Sequence, residues 1–177
     1  RERLAVMGDG AIELIEVGPM FPLPRPPQGP GGVSMAGVIP YINVEGANAA
    51  AAFYQLAFGS REVHRMPAEA GVAVHLREPS EDGVRLLHCH LEINGGSLMV
   101  SDTFPEYGYD LQPSHSFTMQ LVVADVDRWW NRAVQAGCTI KQPLELAFWG
   151  DKYGTLVDPY GINWAMSQPA AGADAPA

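Results

Sequence analysis

The chain has 177 residues, of which 47% are hydrophobic and 18% charged, a balance that supports one buried core and excludes a chain disordered throughout. Eleven basic residues stand against twenty acidic ones; the net charge of −9 excludes the basic footprint that a nucleic-acid binder needs and leans towards cationic ligands. No apolar run approaches the ~20 residues that span a bilayer, so no membrane partner is expected.

In chain order, residues 1–37 form a Pro/Gly-rich arm that ends in "MFPLPRPPQGPGG", where regular helix and sheet interior are forbidden. Within it "AIELIEV" reads as a short strand, suited to docking on a partner sheet edge. No apolar run follows the charged start "RERLAVMGDG", so no secretory signal is expected. The compact domain is expected over 38–168, and the small, polar residues 169–177 read as a disordered tail.

The domain repeats. "VIPYINV" (38–44) alternates as a strand and leads into the alanine-rich helix "GANAAAAFYQLAFG", closed by Gly59; "LLHCHLEINGGSLMV" (86–100) then reads as a hairpin turning at Asn94–Gly96. Seventy-nine positions after the first strand comes "FTMQLVV" (117–123), then the helix "ADVDRWWNRAVQAG", capped by Asp125 and closed by Gly137. "GTLVDPYGINWAM" is the matching hairpin, and superposing the two hairpins aligns Gly95 with Gly161. With the short strands after each helix, modules 38–103 and 115–168 both read β-α-β-β-β.

A period of two assigns faces. Cys89, Leu91, Ile93, Leu98 and Val100 share an apolar face, with His88, His90, Glu92, Met99 and Ser101 opposite. In the second module Ile162, Trp164 and Met166 oppose Asn163, Ala165 and Ser167, while Met119, Leu121 and Val123 oppose Thr118 and Gln120. Greasy faces for helices and polar inner faces imply a cup: an α+β fold of two tandem modules forming a cupped mixed sheet with helices outside. Of Trp129 and Trp130, one should be core and the other surface or subunit contact. Cys89 and Cys138 lack a C-x-x-C spacing and are read as buried free thiols of a reducing cytoplasm.

"IPYINVEGANAAAAFYQLAFG", "LLHCHLEINGGSLMVSD", "VVADVDRWWNRAVQAG" and above all "FWGDKYGTLVDPYGINWAM" resemble the vicinal oxygen chelate superfamily of glyoxalases, extradiol dioxygenases and fosfomycin- and bleomycin-resistance proteins, most closely its PhnB-like branch. The resemblance implies a homodimer, and in metal-dependent members four inward ligands. Those positions fall here on Ile39, Met99, Thr118 and Ala165, none a normal ligand for a hard or borderline cation, so no cofactor is expected at the usual centre.

An alternative divalent site is His88, His90 and Glu92, at alternate positions on one strand face. It would serve a lyase, isomerase or dioxygenase. The leading expectation is a metal-free cup for a cationic or aromatic small molecule, lined by Tyr41, Asn43, His88, His90, Ser101, Thr118, Gln120, Trp149, Asp151 and Asn163. Asp151 has two readings, an anchor or base and a loop cap; Asp158 reads as a turn former, and His64 and His115 as ordinary solvent-facing residues. A third possibility is an interaction scaffold that uses the proline-rich arm.

Overall fold

The computed structural model describes residues 2–8, 11–17, 37–68, 85–113 and 116–170. The expected tail at 169–177 lies largely outside these residues, as do the proline-rich part of the arm and His115. In the arm, β1 (Glu2–Gly8) and β2 (Ala11–Val17) pair antiparallel. The "AIELIEV" strand thus exists, but its described partner is a strand of its own chain.

The first module is β3 (Tyr41–Val44), α1 (Ala47–Phe58), β4 (Arg61–Pro67), β5 (Leu86–Ile93) and β6 (Gly96–Asp102). The second is β7 (Met119–Val122), α2 (Val126–Ala136), β8 (Thr139–Leu146), β9 (Lys152–Val157) and β10 (Asn163–Gln168). Each builds a four-stranded mixed sheet, ordered β3-β6-β5-β4 and β7-β10-β9-β8, and among the described residues no ladder joins the two. In both, the first strand runs parallel to the last and the remaining pairs are antiparallel. The fold is α+β, as the repeat implies.

Turn chemistry sets the register. Asn94 (φ 49°) and Gly95 (φ 78°) make a two-residue loop between β5 and β6, where positive φ at both positions matches the strand twist. Gly161 (φ 82°) closes the corresponding turn. Tyr41 then pairs with Met99, and Gln120 with Ala165, so the two modules keep equivalent registers.

The predicted apolar faces are buried in the core. Cys89, Leu91, Ile93, Leu98 and Val100 join Ile162, Trp164, Met166 and Leu121 in one core cluster that runs through both modules. The small side chains of Ala47, Ala50, Ala51 and Ala57 let α1 lie close on this core, while Tyr54 and Phe58 carry its bulk. Phe58 meets the Trp164 ring with centroids 4.3 Å apart, a module-to-module contact. Burying such an aromatic side chain contributes about 2–3 kcal/mol. Trp130 is buried and Trp129 only partly, packing against the same core.

Helix starts show how the modules diverged. Gly46 precedes α1 and has no side chain to cap it; Asp102, at the end of β6, does so instead. Its Oδ1 accepts from the Gly46 and Ala47 N–H groups at 2.9 and 3.1 Å, and its Oδ2 from Leu86 N–H at 2.6 Å. Gln168, at the equivalent end of β10, accepts from Val126 N–H at 3.1 Å, and Asp125 caps α2 through Arg128 N–H.

Candidate functional site

The faces turned away from the helices carry polar side chains. On the first sheet Asn43 Nδ2 donates to Ser101 Oγ at 2.6 Å, joining the adjacent strands β3 and β6. Tyr41 Oη lies 3.1 Å from His88 Nδ1 and 3.3 Å from the Leu87 carbonyl, so its single proton serves one or the other. His90 Nε2 lies 2.9 Å from Ser97 Oγ, and Glu92 forms an ion pair with Arg61 on β4.

His64, opposite His90 in the ladder, brings its ring to 6.0 Å from that of His88. It is exposed, as expected, but belongs to the site. The bulge between Glu62 and His64 hides this, because a bulge breaks the alternation from which a face is read. Burial, then the neighbouring His64 and His90 rings, hold His88 below the ordinary histidine range. Burial and the Arg61 guanidinium do the same at His90, with Glu92 opposing. Both imidazoles are therefore held towards the neutral form near neutral pH.

On the second sheet Gln120 Nε2 donates to Ser167 Oγ at 3.0 Å, and Lys141 Nζ to Asn163 Oδ1 at 2.8 Å. Lys141 is a second residue that sequence reasoning missed; β8 changes register on both sides of Gln142, so alternation does not give its face. Thr118, just outside β7, is exposed. Trp149 sits in the β8–β9 loop, half exposed, and packs edge-on against Tyr153 with ring centroids 5.4 Å apart. Asp151 Oδ1 accepts from Ala170 N–H at 3.1 Å, so this carboxylate ties the loop to the segment after β10.

Burial divides the expected site residues. His90 and Ser101 are buried on the central strands, with Ala165 and Ser167 buried likewise on β10. Tyr41, Asn43, Gln120 and Trp149 are exposed, and His88 and Asn163 are intermediate. The first group forms a floor; the second is the part that solvent reaches.

Asp158 is a turn former and more. Its Oδ1 accepts from Tyr160 and Ile162 N–H groups, both at 2.9 Å, and its Oδ2 from Trp164 Nε1 at 2.9 Å and Tyr54 Oη at 2.8 Å. A separate cavity of about 160 Å³ opens on the helix side between α1 and β4, lined in part by Asn48, Gln55, Ser60, Glu62 and Arg65. Ser60 Oγ is buried there and, among the described residues, has no hydrogen-bond partner.

Residues 35–166 match the model of the Glyoxalase/Bleomycin resistance protein/Dioxygenase superfamily. The chain belongs to this superfamily. Protein Rv0887c of Mycobacterium tuberculosis (strain ATCC 25618 / H37Rv) is 35% identical over 136 residues, 73% of this chain and 72% of its own. Protein PA1353 from Pseudomonas aeruginosa shares the fold, with a TM-score of 0.59 and 22% identity over 76% of this chain and 98% of that one. The PhnB protein from Bacillus cereus does so with a TM-score of 0.55 and 20% identity over 75% and 99%.

The metal-ligand positions that the superfamily resemblance implies can be tested against the side chains present. Met99 lies opposite Tyr41 and His90, and Ala165 opposite Gln120 and Thr155, all on the polar faces. With Ile39 and Thr118 they supply no carboxylate, imidazole or thiolate, a poor fit to a hard or borderline divalent ion. His88, His90 and Glu92 engage Tyr41, Ser97 and Arg61 respectively. Among the described residues no three His, Cys, Asp or Glu side chains converge as a metal group. No helix among them is long and apolar enough to cross a membrane.

Proposed function

We propose that this protein binds a small organic molecule in the cup formed by its polar faces, without a metal at the superfamily's usual centre. The observation that carries the reading is the chemistry of Ile39, Met99, Thr118 and Ala165 on faces otherwise lined by hydrogen-bonding groups. Tyr41, Asn43, His88, Gln120 and Asn163 offer neutral donors and acceptors at accessible positions, and Trp149 offers an aromatic surface. His90 and Ser101 support this layer from beneath through Ser97 and Asn43. Cytoplasmic residence and a homodimer complete the proposal.

The competing reading is a metal-dependent lyase, isomerase or dioxygenase with a site displaced to His88, His90 and Glu92. It requires all three side chains to leave their present partners. Elemental analysis of untagged protein purified without chelator, with His90→Ala beside it, separates the two. The binding reading expects no stoichiometric metal after exposure to zinc, iron, manganese or nickel, and a small-molecule thermal shift that Trp149→Ala reduces and chelators leave unchanged. Stoichiometric metal lost in His90→Ala, together with an activity, would overturn it.

A further inference from the structure

The chain's net charge of −9 points towards cationic ligands, but the polar face of the second sheet has a different local balance. Arg61, Arg65, Arg85 and Lys152 each form an ion pair with a carboxylate, at Glu92, Glu62, Glu106 and Asp127 respectively. Lys141 does not. Its ammonium donates to the neutral amide oxygen of Asn163 at 2.8 Å and, among the described residues, meets no carboxylate.

To make this bond the side chain reaches from β8 across β9 to β10, two strand spacings of about 4.8 Å each. Asn163 shares its face with Ala165 and Ser167, so the bond lies on the polar face, two positions along β10 from Ala165. Gln120 and Thr155 flank Ala165 in register. Glu145 pairs with Tyr153 four positions further along β8, about 13 Å away at strand rise. Across the cup's other sheet the Arg61–Glu92 pair is self-compensating.

Resting on the binding reading above, we infer that the cup's ligand is an organic oxyanion, of the carboxylate or phosphonate type, received by Lys141 beside Asn163, Gln120 and Thr155. An ammonium has three protons, and one goes to Asn163. A bound oxyanion would gain a charge-assisted hydrogen bond, while the uncharged amide holds the lysine without neutralising it.

The test titrates the full chain with benzoate, phenylphosphonate, benzamide and benzylammonium, following tryptophan fluorescence and calorimetric heat. Benzoate and phenylphosphonate are expected to bind more tightly than benzamide, and benzylammonium most weakly. Lys141→Gln should weaken both anions by about tenfold or more and leave benzamide unchanged, while Lys141→Arg keeps the charge and restores them. Added salt should weaken only the anions.

Anion binding indifferent to Lys141→Gln, or benzylammonium binding as tightly as benzoate, would overturn the inference. If benzamide or benzylammonium binds in a Trp149-dependent manner while the anions fail, the anion assignment falls and the binding cup stands. If no probe of any charge binds, both fall.

Discussion

Tyr54 in α1 donates its phenol proton to Asp158 Oδ2 at 2.8 Å, joining the two modules across 104 residues of chain. Both residues are buried, and the same oxygen accepts from Trp164 Nε1. The carboxylate thus orders its own turn with one oxygen and fastens the neighbouring helix with the other. Removing the hydroxyl leaves a buried anion short of one charge-assisted donor. Tyr54→Phe is expected to lower unfolding free energy by about 1.5–3 kcal/mol, as expected for a hydrogen bond to a charged group. Chemical denaturation checks this. A Tyr54→Phe protein as stable as the parent would show that the bond is not a significant tie between modules.

Acid should weaken the fold in two separate steps. His88 and His90 have folded-state values below the ordinary histidine value of about 6.5, so the unfolded chain binds protons more readily there. Their contribution is present above that value and is lost as pH falls through their lowered folded values. Glu62 is held below its ordinary value by its hydrogen bonds to Arg65, so its contribution is lost only on further acidification, below about pH 4.5. The melting temperature should therefore decline from pH 7 to pH 5, and His88→Asn/His90→Asn should flatten that part of the profile. An unchanged slope in the double variant would assign the decline to other groups.

What was readable in the sequence follows from which elements are regular. β5 and β6 are joined by two residues at positive φ, so the alternation from His88 to Ser101 maps onto faces without a slip. The apolar set Cys89, Leu91, Ile93, Leu98 and Val100 is accordingly buried in the core. β4 and β8 contain register shifts, and there the period of two no longer assigns faces; His64 and Lys141 lie on those strands. The DPxG stretch announces a turn, but nothing local announces that Tyr54 will reach Asp158, because that bond depends on how α1 meets β10. Asp151 admits two readings from its residue type, an anchor or base and a loop cap; its bond to Ala170 N–H is a backbone-fastening role, to a segment beyond its own loop.

Ser60 offers the opposite case to Tyr54. Its Oγ is buried beside the helix-side cavity and has no partner among the described residues, so none of these offsets the hydroxyl's desolvation with a hydrogen bond. Ser60→Ala removes that polar atom and should leave stability unchanged or raise it by up to about 1 kcal/mol. A loss beyond 1 kcal/mol on denaturation would show that the hydroxyl is satisfied in solution.

Gly154 marks a close approach between sheet and helix in the second module. A Cβ there would stand 2.7 Å from two carbons of the Trp130 ring and 2.9 Å from Leu144 Cα. Neither neighbour is the free end of a flexible side chain: the indole is buried in α2's packing, and the other atom is backbone of β8. Relief therefore requires α2 to lift or β8 to bend, both costly in a close-packed interior. Gly154→Ala is expected to destabilise by about 1–3 kcal/mol, with the loss seen first in the near-ultraviolet signal of the tryptophans. The double variant Gly154→Ala/Trp130→Leu should show less than the sum of the two single losses, because a smaller residue at 130 vacates part of the space the new methyl needs. Additive losses would show that the clash with Leu144 backbone, and not the indole, sets the cost.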